Sequence, residues 1–240
     1  MVKLDPLVHI EDTRASADIR AELALEPAVL LAFSTGKDAL ASWLALVDSG
    51  CETIYPYYLY YVPGLAFVEE SLDRFEQHFG QRIARYPHPS IYRMLNNLVF
   101  QPPERLAIIE AARLPSPSYE TMVDLIREDL GLPADTWVAD GVRAADSIVR
   151  RTSIKVYGPM KVKSRKVSVI WDWRKAPVLA RVAAAGLKLP PDYEWFGRSF
   201  DGIDHRFLEP LSRFAPADYR RVLDWFPLAD LEMVRRRLGA

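Results

Sequence analysis

Short apolar runs alternate with helical patterns along this chain. Residues 28–33 form a continuous apolar run of strand length that ends at a turn of small polar residues. Such a run predicts a strand buried on both faces. Lys37–Asp48 follows with apolar residues at helical spacing, and Gly50 after it is typical of a helix end. The pattern therefore predicts a strand–turn–helix unit near the N-terminus.

The alternation continues downstream. The patterns predict further strands at Thr53–Val62, Arg82–Tyr86, Thr136–Ala139 and Val167–Trp171, and further helices at Phe67–Phe79, Tyr119–Leu130 and Ala176–Ala185. The proline-punctuated stretch 87–117 has no clear placement. Strands that alternate with helices predict an α/β fold, a Rossmann-like and mostly parallel sheet with helices on both faces. We expect a nucleotide-binding domain over residues 1–195 and a loop and helical extension over 196–240.

Length, composition and charge narrow the class of protein. The chain has 240 residues, of which 50% are hydrophobic, so it can bury a substantial core. The formal net charge is −1, so contact with nucleic acid would need a local basic patch. No apolar run is long enough to span a bilayer, and no signal-peptide pattern is present. We expect a soluble, cytoplasmic protein that binds no membrane, and its oligomeric state stays open.

The cysteine and histidine content argues against a resident metal centre. Cys51 is the single cysteine, which excludes an intramolecular disulfide and a cysteine-ligated iron–sulfur cluster within one chain. The four histidines lack the spacing of a zinc site. We expect neither cluster nor zinc, and we interpret Cys51 as a buried small residue in preference to a reactive thiol.

Two segments follow predicted strand ends, where ligands bind in parallel sheets. The first is Ser34–Asp38 and the second is Asp140–Arg143. The first also opens a helix, whose N-terminus offers N–H groups and a positive dipole to a phosphate.

The side chains of the first segment suit phosphate. Gly36 lets the backbone approach an anion closely, and Lys37 adds a full charge. Ser34 and Thr35 add hydroxyl donors. Asp38 is the predicted ligand of a Mg²⁺ ion bound to the same phosphates. The alternative is a solvated strand–helix turn.

Other phosphate loops do not fit this segment. A Walker A loop would need glycine at Leu31 and serine or threonine at Asp38. The Rossmann fingerprint needs three glycines, and only Gly36 is present. The segment instead resembles the PP-loop signature Ser-Gly-Gly-Lys-Asp-Ser, from which Thr35 and Ala39 depart.

A second stretch extends the resemblance. Residues 140–151 are similar to the Gly-x-Arg-x-x-Asp-Ser-x-x-Arg stretch of the phosphoadenosine phosphosulfate (PAPS) reductase family, a branch of the PP-loop superfamily. Residues 169–173 and 189–193 resemble that family's later strand–helix–loop. Order and spacing agree over roughly residues 28–195.

The resemblance implies an enzyme with the adenine nucleotide alpha hydrolase fold. It would bind ATP, or PAPS, with Mg²⁺, cleave between the α- and β-phosphates, adenylylate a substrate and release pyrophosphate. The implied catalytic residues are Lys37, Asp38, Arg143 and Asp146, and the implied phosphate-binding residues are Ser34, Thr35, Gly36, Lys37, Gly141, Arg143, Arg150 and Arg151. The alternatives are a solvated loop for the last two arginines and a salt bridge or helix cap for Asp146.

Two further functions stay open. PAPS reductases carry a nucleophilic cysteine in the C-terminal tail, which is absent from 231–240, so a sulfonucleotide enzyme would need an external thiol. A nucleotide-dependent protein that binds or modifies nucleic acid is the other alternative. Its contact would be the basic cluster of Lys161, Lys163, Arg165 and Lys166, for which a solvated face is the competing interpretation.

Weaker candidates lie nearby. Trp171, Trp173, Trp195 and Phe196 are expected to pack in the core, with base stacking as the alternative. The segment 197–202 is predicted to be a polar active-site loop, in which Asp201, with Asp204 just beyond it, could contact metal or substrate.

Overall fold

The computed structural model describes residues 5–239, which form six strands and twelve α-helices. The strands are β1 Val29–Ala32, β2 Ile54–Tyr60, β3 Ala84–Pro87, β4 Trp137–Asp140, β5 Met160–Lys161 and β6 Lys166–Ser168. The helices are α1 Ser16–Leu23, α2 Lys37–Asp48, α3 Ala66–Phe79, α4 Pro89–Asn96, α5 Pro103–Ala112, α6 Tyr119–Asp129, α7 Ile148–Tyr157, α8 Lys175–Ala184, α9 Asp192–Phe196, α10 His205–Phe214, α11 Pro216–Trp225 and α12 Leu231–Arg237.

The six strands form one sheet in the order β3-β2-β1-β4-β6-β5. The pairs β1–β2, β1–β4 and β4–β6 are parallel, and the edge pair β5–β6 is antiparallel. The predicted α/β fold with a mostly parallel sheet is confirmed.

The chain divides into two compact units that alternate along the sequence. Unit 1 comprises the chain up to Tyr58, Gln81–Ala84 and Asp124–Leu189. Unit 2 comprises Leu59–Gly80, Arg85–Val123 and the chain from Pro190 onward. The predicted boundary at 195 falls close to the start of the last segment of unit 2.

The core of unit 1 is built on β1 and α2. Residues 29–31 are at most 1% exposed, as expected for a strand covered on both faces. Helix α2 has the predicted bounds and buries eight consecutive residues, 39–46, so it is packed on all sides. Val47, which fits the helical apolar pattern, is 49% exposed and lies outside the core.

Several elements differ from the sequence prediction. Helix α7 and strand β5 were not predicted, and β6 ends at Ser168, before the predicted end at Trp171. Helix α7 buries only Ile154, so most of its apolar side chains do not contribute to the core. The unplaced stretch 87–117 contains α4 and α5, each with proline in its first turn.

A buried carboxylate organises the N-terminal part of unit 1. Asp172 accepts hydrogen bonds from the backbone N–H of Ser16 at 2.9 Å and from its hydroxyl at 2.5 Å. These bonds satisfy the start of α1, whose own N-cap residue, Ala15, offers no side-chain acceptor. Arg20 on the same helix donates to the Ser16 hydroxyl and to the carbonyl of Val169 at 2.6 Å.

Unit 2 has an aromatic core and a similar long-range cap. Phe67 contacts Trp195 and Phe196 with ring centroids 5.3 and 6.4 Å apart, so these two residues pack at the edge of the core and stay partly exposed. Asp218 accepts from the backbone N–H groups of Ala66 and Phe67 at 2.7 and 3.1 Å. It lies in the first turn of α11, and its side chain caps the start of α3.

Within residues 5–239, no helix is long and apolar enough to cross a membrane.

We expect Asp172→Ala to lower the free energy of unfolding by about 2–4 kcal/mol, because two charge-assisted hydrogen bonds are lost and the α1 N-terminus stays buried. Urea unfolding of both proteins measures this difference. Glu26→Ala removes an exposed carboxylate just after α1 and should change stability by no more than about 0.5 kcal/mol. Equal effects of the two substitutions would contradict the capping role.

Candidate phosphate-loop site

The two predicted site segments leave the same edge of the sheet. Strand β1 pairs in parallel with β4, with Leu31 opposite Ala139. The loop after β1 leads into α2, and the loop after β4 leads toward α7. Since parallel neighbours end at one edge, both loops lie at the carboxyl edge, where ligands bind in such sheets.

The two loops touch at a glycine. A Cβ added at Gly141 would lie 2.9 Å from both the carbonyl carbon and the carbonyl oxygen of Asp38. These are backbone atoms of the first turn of α2, which cannot move aside as a flexible side chain can. Glycine at 141 is therefore required for the close approach of the β4 loop to the helix start.

The turn before α2 is strained at Thr35. Its φ is +60°, a left-handed conformation that is rare for a β-branched residue. Gly36 has φ −71° and ψ 162°, which any residue adopts. The left-handed position thus falls on the threonine, at the place where the PP-loop signature has its first glycine. Backbone strain of this kind costs on the order of 1–3 kcal/mol and persists where the surroundings enforce it.

A series of oppositely charged side chains runs from one loop to the other. Asp38 forms an ion pair with Lys37 through Oδ2, and its Oδ1 lies 2.8 Å from Arg143 Nε. Arg143 in turn contacts Asp146 at 2.5 Å, and Asp146 contacts Arg150 at 2.7 Å. The structure thus brings together Lys37, Asp38, Arg143, Asp146 and Arg150.

The central contact of this series, between Arg143 and Asp38, is short but has poor hydrogen-bond geometry. The Arg143 side chain is only 4% exposed, and it also donates to the carbonyl of Trp173 at 3.4 Å. Among the described residues, Asp38 Oδ1 and Arg143 Nε are buried without a hydrogen bond of good geometry. The two atoms face each other in the ion pair, so their charges compensate one another although the N–H group is poorly aligned with the oxygen.

Other predicted residues have different surroundings. Ser34 is exposed, and the Thr35 hydroxyl donates to the carbonyl of Ser34 at 2.6 Å. Arg150 and Arg151 lie in the first turn of α7, not in a solvated loop, and Arg151 is exposed. Burial raises the pKa of the Cys51 thiol, which disfavours a reactive thiolate.

The predicted loop at 197–202 belongs to unit 2. Asp204 caps α10 by accepting from the backbone N–H of Arg206 at 2.9 Å, and it also pairs with that side chain. Asp201 forms an ion pair with Arg198. Both aspartates therefore have structural partners.

The two tryptophans of unit 1 also have structural surroundings. Trp171 is 2% exposed, and the Arg20 guanidinium lies over the Trp173 ring.

Asp140 was not assigned a role from the sequence. It ends β4 directly before Gly141, and its Oδ1 accepts from the backbone N–H of Val142 at 3.1 Å. Burial raises the pKa of its carboxyl, although the hydrogen bond from Ser168 opposes the shift. A carboxylate at the last position of a buried strand was the signal that could have identified it.

Comparison with known proteins adds little. No family model matches the chain, and no curated protein matches it. The U34-tRNA thiolase NcsA from Methanococcus maripaludis, solved with its 4Fe-4S cluster, is 11% identical with a TM-score of 0.48, over 90% of this chain and 78% of the thiolase. An NH3-dependent NAD synthetase from Campylobacter jejuni, solved with a nitrate ion, is 13% identical with a TM-score of 0.46, over 92% and 91%. Likeness at this level carries no argument about function, which therefore rests on the residues of the site.

We expect Gly141→Ala to separate the two loops, because its Cβ would meet the Asp38 backbone at 2.9 Å. Overpacking should cost about 1–3 kcal/mol of stability, and ATP should bind roughly tenfold or more weakly as Arg143 moves away from Asp38. Thermal unfolding and ATP titration measure the two effects.

Gly131→Ala is the matched control. Gly131 has φ +65° and open space around it, so alanine should strain the backbone and leave ATP affinity unchanged. If both variants bound ATP like the native protein, the contact between the two loops would have no part in ligand binding.

Proposed function

We propose that this chain is a PP-loop type enzyme that binds ATP with Mg²⁺, adenylylates an acceptor and releases pyrophosphate. The proposal is carried by one observation, the 2.8 Å approach of Arg143 to Asp38 where the loops after β1 and β4 meet. The sequence resemblance to the PP-loop and to the arginine-containing stretch of the PAPS reductase family involves these same two loops. Membership of the PAPS reductase-like branch is part of the proposal.

The geometry suits the binding of a polyphosphate. The α2 N-terminus offers backbone N–H groups, and its N-cap residue provides no side-chain acceptor for them. Lys37 and Arg143 place two positive charges beside that terminus. Charge neutralisation and positioning are the main terms in phosphoryl and nucleotidyl transfer, and they require no protein nucleophile. The acceptor substrate would supply the attacking atom.

Asp38 fits the role of a magnesium ligand. Its Oδ1 is buried in the ion pair with Arg143 and forms no well-aligned hydrogen bond there, so an oxygen lone pair would be available to a cation. Within residues 5–239, no cluster of three or more acidic, histidine or cysteine side chains could hold a metal ion by itself. A Mg²⁺ ion here would take its other ligands from the nucleotide phosphates and water, as is common for this ion. Bound there, it would neutralise phosphate charge.

The remaining site residues would act through Arg143. Asp146 holds the Arg143 guanidinium at 2.5 Å and is itself held by Arg150, so its role would be to position that arginine. Arg150, at the start of α7, is about half exposed and could turn toward a phosphate. Ser34 and Thr35 would line the loop, and the Thr35 backbone has the left-handed conformation that glycine usually adopts.

The sulfonucleotide alternative has less support. Reduction through a protein thiol would need a thiolate, and Cys51 is the only cysteine in the chain. The thiol is buried, and burial raises its pKa. An external thiol would be needed for that chemistry.

We expect Lys37→Ala to weaken ATP binding by about 1.5–3 kcal/mol, the value of a charge-assisted contact, and to leave the fold intact. Isothermal titration of ATP with Mg²⁺ measures the loss. Lys175→Ala is a close control, because Lys175 is also the first residue of a helix in unit 1 and is exposed. Unchanged ATP and PAPS affinities in Lys37→Ala would refute the phosphate-loop assignment.

We expect Cys51→Ser to retain pyrophosphate release from ATP, because adenylylation uses no protein thiol. A modest loss of stability is expected, since a buried serine must find a hydrogen-bond partner. Pyrophosphate release from ATP and sulfite release from PAPS are measured side by side without added thiol. Sulfite production by the native protein that disappears in Cys51→Ser would replace the adenylylation proposal with a reductase.

A further inference from the structure

A long basic segment follows the arginine loop. Residues 147–171 carry seven lysines and arginines and no aspartate or glutamate, in a chain whose net charge is −1. The segment forms α7, β5 and β6, all within unit 1. Such a separation of charge produces a local positive field on an otherwise balanced protein.

Most of these cations form no direct ion pair, although Lys161 and Lys166 lie near Asp140, with which they line one cavity. Arg150 pairs with Asp146, and Arg165 pairs with Asp135 while its guanidinium lies 4.6 Å from the Trp137 ring. Within residues 5–239, no ion pair involves the other five cations, which are Arg151, Lys155, Lys161, Lys163 and Lys166. An ordinary solvated face would intersperse both signs of charge, so this surface is suited to an anionic partner.

The same surface exposes large apolar side chains. The set, with exposed fractions from 61% to 84%, is Ile148, Val149, Val156, Tyr157 and Val162. Helix α7 buries only Ile154. We call this combined surface of α7 and the β5–β6 hairpin the basic–apolar surface. Its partner should be anionic and should also offer apolar area.

The arrangement on α7 distinguishes between two such partners. Ile148, Arg151 and Lys155 are spaced i, i+3 and i+7, so they share one side of the helix. A helix that lies in a membrane surface separates its apolar and basic faces. Cations mixed with apolar groups instead match single-stranded nucleic acid, in which phosphates alternate with exposed bases.

A cavity of about 250 Å³ opens beside this surface. Its polar lining combines one acidic residue with two hydroxyl residues and three cations of the same surface, and apolar side chains complete the walls. The polar residues are Asp140, Ser153, Ser168, Arg150, Lys161 and Lys166, and the apolar ones include Val142 and Ile154. It is smaller than the ~300–1,000 Å³ of sites that enclose drug-sized ligands. It would therefore take one flat group of a larger molecule, such as a nucleobase with polar edges.

We propose that the basic–apolar surface binds single-stranded nucleic acid, with one base entering the cavity beside Asp140. Phosphates would lie along Arg151, Lys155, Lys161, Lys163 and Lys166, and Tyr157 would stack on a base. A duplex would pair its bases and fit less well. Asp140 precedes Gly141, which packs against the Asp38 backbone, so the cavity and the candidate phosphate loop are linked through two consecutive residues at the end of β4. Binding of nucleic acid to this surface is independent of the proposed function. Only the role of the bound base as acceptor rests on the proposed function.

Fluorescence anisotropy with labelled single-stranded DNA and RNA of one sequence tests the surface, using oligonucleotides of about 20 nucleotides to exceed a domain's site of ~4–16. We expect Lys161→Ala/Lys163→Ala to bind roughly tenfold or more weakly and to lower the slope of log affinity against log salt by about 1.4. Tyr157→Ala should weaken binding roughly fivefold or more without changing that slope. Arg236→Ala/Arg237→Ala, which removes two exposed cations from α12, should match the native protein.

Three results would overturn the surface proposal: no salt-dependent binding of either single strand, duplex binding as tight as single-strand binding, or tighter binding to phosphatidylserine vesicles. ATP titration of the native protein is run beside the anisotropy assay, and oligonucleotide binding without ATP binding would refute the proposed function alone. A failure of ATP binding is thereby separated from a failure of nucleic-acid binding.

Photo-crosslinking tests the cavity. Oligonucleotides with thio-substituted bases should crosslink to peptides that contain Val142 or Ile154. Ser153→Leu, which places a larger side chain in the cavity, should remove those crosslinks and keep most of the affinity. Crosslinks confined to Tyr157 and the hairpin would show that no base enters the cavity.

Discussion

The candidate site depends on one close backbone approach, that of Gly141 to the first turn of α2. Parallel pairing of β1 with β4 brings the two strand ends to one edge, and the absence of a Cβ at 141 lets the second loop contact the Asp38 backbone. Arg143, two residues further on, then lies beside the Asp38 carboxylate. The loops, the charges and the helix N-terminus are placed together by this packing.

Several features near this contact are unfavourable for stability. A β-branched residue has a left-handed backbone at Thr35, an arginine is almost fully buried, and two buried polar atoms lack well-formed hydrogen bonds. Functional sites are where proteins depart from locally optimal choices, since ligands later satisfy the groups concerned. A bound anion and its metal ion would compensate the charges that this loop pair concentrates. The well-satisfied caps at Asp172 and Asp218 lack this character and are structural.

The basic–apolar surface and the phosphate loop are linked through β4. This strand ends at Asp140, whose carboxyl lines the cavity, and the next residue packs against Asp38. Two residues in sequence thus connect the candidate phosphate loop to a cavity at the edge of a cationic surface. An enzyme that transfers a nucleotide to a group on a polymer would need such an arrangement.

The sequence by itself determined the α/β class, the parallel sheet and the strand–turn–helix at the phosphate loop. Most residues of strand β1 and helix α2 are buried, so their apolar runs and the glycines after them are strong signals. It also indicated both site loops, because chemistry in parallel sheets collects at strand ends. The tertiary structure decided the rest. Helix α7 buries one residue and was not predicted from the sequence, so its place beside the sheet was decided by the tertiary structure. The contacts of Arg143 with Asp38 and of Asp172 with Ser16 join residues far apart in the chain, and only the packing of the sheet brings them within hydrogen-bonding range.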